Sequence, residues 1–254
     1  MGNNDNKGIT RRETIKKIGN AAAGIWLGVI TTNVYGILSD TYNLRNMKVL
    51  LINGSPNKEG CTFTALSEVA KALNGSNVET DMFWIGRGAM ISCIGCGACS
   101  KSGRCFQNDR VNEFLESAGG FDGFVFGSPV HFAAMNGALT SFMDRVFFAA
   151  RSTGIMYGKP FASVTSSRRS GSITTLDQLN KYPIHGGMPV VPSQYWPMVF
   201  GNTPDEVFQD AEGLQIMRTL GRNMAWMLRC IEAGKQLGIN YPEREPRIGT
   251  NFIR

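Results

Sequence analysis

The chain has 254 residues, 43% of them apolar, and 30 glycines. That is enough for one good core plus a leader or extension, and too apolar for a disordered chain. The formal net charge is +6, part of it contributed by Lys7, Arg11, Arg12, Lys16 and Lys17 against Asp5 and Glu13; the remaining charges are scattered, with no basic stripe interleaved with aromatics, which argues against nucleic acid as a partner.

Residues 1–38 read as a signal-like leader or N-terminal extension. Arg11 and Arg12 precede a mildly apolar run from Ala21 to about Tyr35, broken by Gly24, Gly28, Thr31, Thr32 and Asn33. The run is too short and too interrupted for a membrane span. A basic segment ahead of a short apolar one has the order of an export signal. The arginine pair resembles a twin-arginine signal, with Glu13 and Thr14 departing from it, and predicts a periplasmic or other extracytoplasmic location. The alternative is a cytoplasmic protein whose extension packs on a partner subunit.

The folded domain is expected over 47–237. MKVLLING from Met47 reads as a buried parallel strand. A polar loop follows, and a helix is predicted over Thr62 to Leu73. Val78 to Phe83 is a second strand, followed by a cysteine-rich insertion. Asp109 to Ala118 has helical spacing, Phe121 to Phe126 is a third strand, and Met135 to Ala149 a helix. Lys159 to Thr165 gives a fourth strand and about Thr174 to Tyr182 a helix. Met188 to Val191 is the expected fifth strand, and Asp205 to Leu237 one or two helices. Strands alternating with helices predict an α/β fold, a doubly wound parallel five-stranded sheet with helices on both faces. The tail, 238–254, lacks periodicity and is expected to wrap the surface or a partner.

Three loops follow strands, where such sheets bind ligands. Gly54 to Thr62 combines glycines with the hydroxyls of Ser55 and Thr62 ahead of a helix N-terminus, a composition suited to one phosphate. It is neither a Walker A loop nor GxGxxG. Gly127-Ser-Pro-Val-His-Phe132 and Thr165 to Ser172 are the other two. Arg168 and Arg169 also read simply as solvated surface charges.

Cys93-x2-Cys96-x2-Cys99-x5-Cys105 holds four of the six cysteines. With Gly95, Gly97 and Gly103 between them, the run can supply four thiolates to one [4Fe–4S] cluster. Its last gap is longer than in the common bacterial ferredoxin run, and no proline follows. Zinc usually takes two separated CxxC knuckles, and two disulfides within this segment would be cramped. Leftover structural thiols are the remaining alternative.

Gly54-Ser-Pro…Gly60-x-Thr62 and Gly127-Ser-Pro129-x-His131-Phe…Met135-x-Gly137…Phe142-Met-Asp144-Arg145 resemble the two signatures of the flavodoxin-like, NADPH-dependent FMN reductase family. With the cysteine run between them, the chain is most similar to the iron–sulfur flavoproteins, over roughly 47–235. The resemblance implies that Ser55, Asn57, Gly60, Thr62 and Phe63 cradle the FMN phosphate. Pro129, Val130, His131 and Phe132 would then lie along the isoalloxazine, with Thr165, Ser167, Arg168 and Gly171 contributing from the third loop. Cys61 and His131 depart from the usual Asn and Tyr. Asp144 and Arg145 are expected to clamp a helix and help a subunit contact. The implied activity is electron transfer between FMN and the cluster, with no side chain assigned as catalytic, in a homodimer or homotetramer using ferredoxin or NAD(P)H as electron partner. The alternatives are an NAD(P)H-dependent FMN or quinone reductase without a cluster, a non-catalytic flavodoxin-like carrier, and a structural or binding protein.

Overall fold

The computed structural model describes residues 45–246, 248–250 and 252. The leader expected over 1–38 lies outside the described residues. Strand β1, Met47–Asn53, begins the sheet. Helix α1 is Cys61–Asn74, β2 is Val78–Trp84, α2 is Cys99–Ser102 and α3 is Arg110–Ala118. Strand β3, Gly123–His131, leads into β4, Ala134–Met135, and α4, Gly137–Thr153. Then come β5, Phe161–Ser167, α5, Ser172–Gly186, and β6, Met198–Phe200. Helices α6, Pro204–Gln209, and α7, Ala211–Gln236, end the domain.

The parallel strands lie in the order β2-β1-β3-β5-β6. This is the flavodoxin-like order, which reverses direction between β1 and β3 and so opens a ligand crevice there. Alternation along β1 divides the core. Leu50 and Ile52, with Phe124 of β3, pack with α3 and α4 through Phe114 and Phe142, while Val49 and Leu51 pack with α1 and α7 through Leu66, Val69, Met217 and Leu220. Each face of the sheet therefore buries a separate apolar layer, the arrangement that a nearly continuous apolar strand encodes.

Two expectations are corrected. The segment Met188 to Val191 forms a single bridge, Phe161 to Val190, not a strand. Pro189 and Pro192 remove the donors that a longer ladder needs, and Met198–Phe200 takes the fifth place beside β5. Second, β3 does not stop at Phe126. It runs through Pro129 to His131 and turns back as an antiparallel pair, with His131 opposite Ala134. Within the tail, Tyr241 packs on Tyr157 at 5.1 Å, and the Arg244 guanidinium sits 3.9 Å over the Tyr157 ring.

Candidate functional site

At the β1/β3 crevice the backbone N–H of Gly54 donates to the Gly127 carbonyl at 2.9 Å, tying the first loop to the second. Within the first loop the Asn53 side chain accepts from the Ser55 N–H at 3.0 Å and donates to the Lys58 carbonyl at 2.9 Å. Ser55 is buried, and its hydroxyl accepts from the Asn57 N–H at 3.1 Å. Trp84 holds the same loop by donating to the Ser55 carbonyl at 2.8 Å. The chain then enters α1 through Gly60, an N-cap with no side-chain cap bond, and the first turn carries no acid. Open N–H groups without a competing carboxylate form an anion cradle. Phe63 follows in that first turn, half-buried.

Thr62 is buried in the first turn of α1. Its hydroxyl bonds the Ser166 hydroxyl at 2.8 Å, so it ties α1 to the end of β5. Ser167 likewise bonds Ser172 at 2.9 Å. Thr165 is wholly buried, its hydroxyl without a hydrogen-bond partner among the described residues. Gly171 has φ +88, and a Cβ there would stand 2.8 Å from both the Ala133 Cα and the Val130 Cγ1. The third loop is thus pressed against the second, and the structure brings the three predicted loops together. Asn57, His131 and Arg168 are exposed.

The turn between β3 and β4 holds Phe132 and Ala133 at φ 50 and 57. Two successive left-handed residues suit a type I′ hairpin, which normally recruits Asn or Gly. Phe132 is fully exposed at its tip. Strain held at such a place points to function. Ala133→Gly is expected to raise stability by roughly 1 kcal/mol, the αL penalty relieved, in a denaturation titration. An unchanged midpoint would show that the turn carries no strain.

The four cysteines of the run are free thiols around a cavity of about 80 Å³, with Arg145, Gln107 and Phe148 also lining it. Gly95, Gly97 and Gly103 have φ 67, 72 and 67, and let the backbone turn around the cavity. The loop is anchored to its neighbours. Asn112 accepts from the Cys105 N–H and donates to its carbonyl, both at 2.9 Å, while Ser152 on α4 donates to the Cys99 carbonyl at 3.0 Å. Burial pushes the Cys99 thiol up, and the crowding of Cys105, Cys93 and Cys96 pushes it further. Among the described residues no three His, Cys, Asp or Glu side chains converge on a single metal ion. The cavity lined by these four cysteines has the donor set of a thiolate-held, multi-metal group.

Arg145 is buried against this loop, donating to Cys105 and paired with Asp109, whereas Asp144 accepts from the Tyr182 hydroxyl at 2.6 Å. The two neighbours therefore act on different elements, Arg145 on the cysteine loop and Asp144 on α5, not as one helix clamp. Asp109 and Asn112 are supporting residues that the sequence reading does not single out, and Arg145, singled out there, supports the cysteine loop. The available signal was Asp109 standing as N-cap directly before an amphipathic helix.

Residues 47–203 match the model of the NADPH-dependent FMN reductase family. An iron–sulfur flavoprotein of Methanocaldococcus jannaschii is 31% identical over 196 residues, covering 73% of this chain and 100% of the relative. The chain belongs to the iron–sulfur flavoproteins. Another, from Archaeoglobus fulgidus, is 30% identical over 169 residues, 66% of this chain and 83% of that one. In structure, a flavodoxin from the domain Archaea superposes with a TM-score of 0.50 at 15% identity, covering 72% of this chain and 99% of its own, a likeness of fold. In this iron–sulfur flavoprotein the loops at the β1/β3 crevice and the cysteine run belong to one domain.

Proposed function

We propose that this protein transfers electrons between FMN and a [4Fe–4S] cluster. The observation that carries the reading is the pairing, in one domain, of an uncapped, acid-free helix N-terminus at the β1/β3 crevice with four free cysteines around one cavity. When bound, FMN exchanges electrons in pairs or singly and the cluster exchanges them one at a time. The first turn of α1 and the Ser55–Asn57 loop hold the phosphate, with Thr62 keeping α1 in register against β5. The Pro129–Phe132 hairpin would border the ring system, with Phe132 exposed at its left-handed tip as a side chain able to contact it. Cys93, Cys96, Cys99 and Cys105 hold the cluster. The glycines at φ near 70 keep the intervening backbone folded around it, and Asn112 and Ser152 fix two of the ligands from outside.

Iron, acid-labile sulfide and flavin, measured on protein purified without oxygen, test this directly. About four irons, about four sulfides and about one FMN per chain are expected. Flavin without iron or sulfide would leave a flavin reductase with structural thiols. For the electron donor, NAD(P)H is supported by the description of the matching family and ferredoxin by the resemblance. Rapid bleaching of the flavin by NAD(P)H alone would select the former.

A homodimer or homotetramer is supported by the exposed Phe148, Trp196 and Trp226. Light scattering on the purified holoprotein tests it, and a monomer mass would rule it out. Export through the Arg11–Arg12 leader is part of the same proposal. An Arg11→Lys, Arg12→Lys double variant is expected to stay in the cytoplasmic fraction, and an unchanged distribution would reject export by that route.

A further inference from the structure

Arg145 projects from α4 with a side chain only 1% exposed. A buried guanidinium is costly unless all of its donors are used, and here they are. Nη1 and Nη2 grip the two Asp109 oxygens at 2.7 and 2.8 Å, a bidentate fork. The same two nitrogens reach the carbonyls on either side of the cysteine run, Ile91 at 3.3 Å and Gln107 at 3.2 Å. The fork leaves Nε, which donates to the Cys105 sulfur at 3.3 Å. Asp109, with a side chain 32% exposed, also caps α3 by accepting from the Val111 N–H at 3.1 Å.

Joining the loop ends would need only the carbonyl contacts. The remaining N–H, aimed at the Cys105 sulfur, would place a fixed positive charge beside a ligand of a group whose charge changes with redox state. Hydrogen bonds to ligand sulfurs, net charge and burial are the protein's levers on a cluster's potential. We propose that Arg145 is a positioning residue that raises the reduction potential of the cluster through Cys105, and that Asp109 moderates its charge.

This inference rests on the cluster reading of the cysteine cavity. The extra negative charge of the reduced cluster is stabilised by a nearby cation more than that of the oxidised one. Removing the cation lowers the potential, and removing its carboxylate partner raises it. A residue with a purely structural role would not produce shifts of opposite sign.

The test is an anaerobic redox titration, followed by the cluster's electron paramagnetic resonance and visible absorption, on the unaltered protein and on Arg145→Met, Arg145→Lys and Asp109→Asn. Asparagine keeps the α3 cap, since it serves there as well as aspartate. Arg145→Met is expected to shift the reduction equilibrium about tenfold toward the oxidised state, 59 mV for a one-electron couple. Arg145→Lys should recover part of that shift, and Asp109→Asn should move the potential upward. Iron-loaded variants whose potentials are unchanged, or all move in one direction, overturn the proposal. So do variants that fold but hold no iron, because Arg145 would then build the loop and not tune the cluster. Iron and sulfide in the unaltered protein are measured alongside: their absence defeats the cluster reading itself, a result distinct from an iron-loaded set with flat potentials.

Discussion

Cys96→Ala is expected to strip iron and sulfide from the protein while leaving FMN and fold in place. The Cys96 side chain is exposed, and the glycines on either side of it have open space around them. An exposed thiol makes little contribution to packing, and its truncation should change the stability of the cluster-free chain by no more than about 0.5 kcal/mol. As a ligand, it is one of four, and the iron content should fall from about four per chain to below half of that. Metal analysis, flavin absorbance and a thermal melt of the cluster-free form read the three quantities separately. Cys230→Ala, outside the run and also exposed, is the control and should keep its iron. Unchanged iron in Cys96→Ala would remove that residue from the ligand set and reopen the structural-thiol reading.

The second large effect belongs to Gly54→Ala. A Cβ there would stand 2.5 Å from the Leu139 Cδ2 and 2.8 Å from the Gly127 carbonyl oxygen, the acceptor of Gly54's own N–H. Leucine can turn aside, but the strand carbonyl cannot move without parting the first loop from β3. Overpacking of this kind costs roughly 1–3 kcal/mol. Because the displaced loop leads into the anion cradle of α1, FMN affinity should fall about tenfold or more, each 1.4 kcal/mol being tenfold. Gly88→Ala is the matching control, since nothing lies within 4 Å of its Cβ position. Flavin fluorescence titration of the cofactor-free protein gives both affinities, and equal values would show that the Gly54–Gly127 contact does not support the site.

Much of this arrangement could be read from the residues, for identifiable reasons. The apolar run at Met47 and the helical spacing from Thr62 needed only burial patterns, and both elements formed within a residue or two of where those patterns place them. The fifth strand was misplaced because apolar character over Met188 to Val191 outweighed the two prolines that limit its pairing. The hairpin at Phe132–Ala133 was invisible because its sequence lacks the Asn or Gly that usually marks such a turn.

The cysteine run was legible from spacing and glycines alone. Its support was not, because Asn112 and Arg145 reach it from helices 7 and 40 residues beyond Cys105. Periodicity marks which helix face is buried; it carries no sign that a polar residue on that face will find a partner in another loop. Thr62 shows the same limit: its hydroxyl suits a phosphate, yet its neighbour, Ser166, comes from a strand 104 residues away.

Two redox centres on one chain fix an electron count, which a stoichiometric reductive titration under anaerobic conditions reads by following the bleaching of both chromophores. About three electrons per chain are predicted, two for the flavin and one for the cluster. An end point at about two electrons, with flavin bleaching alone, would contradict two centres on one chain.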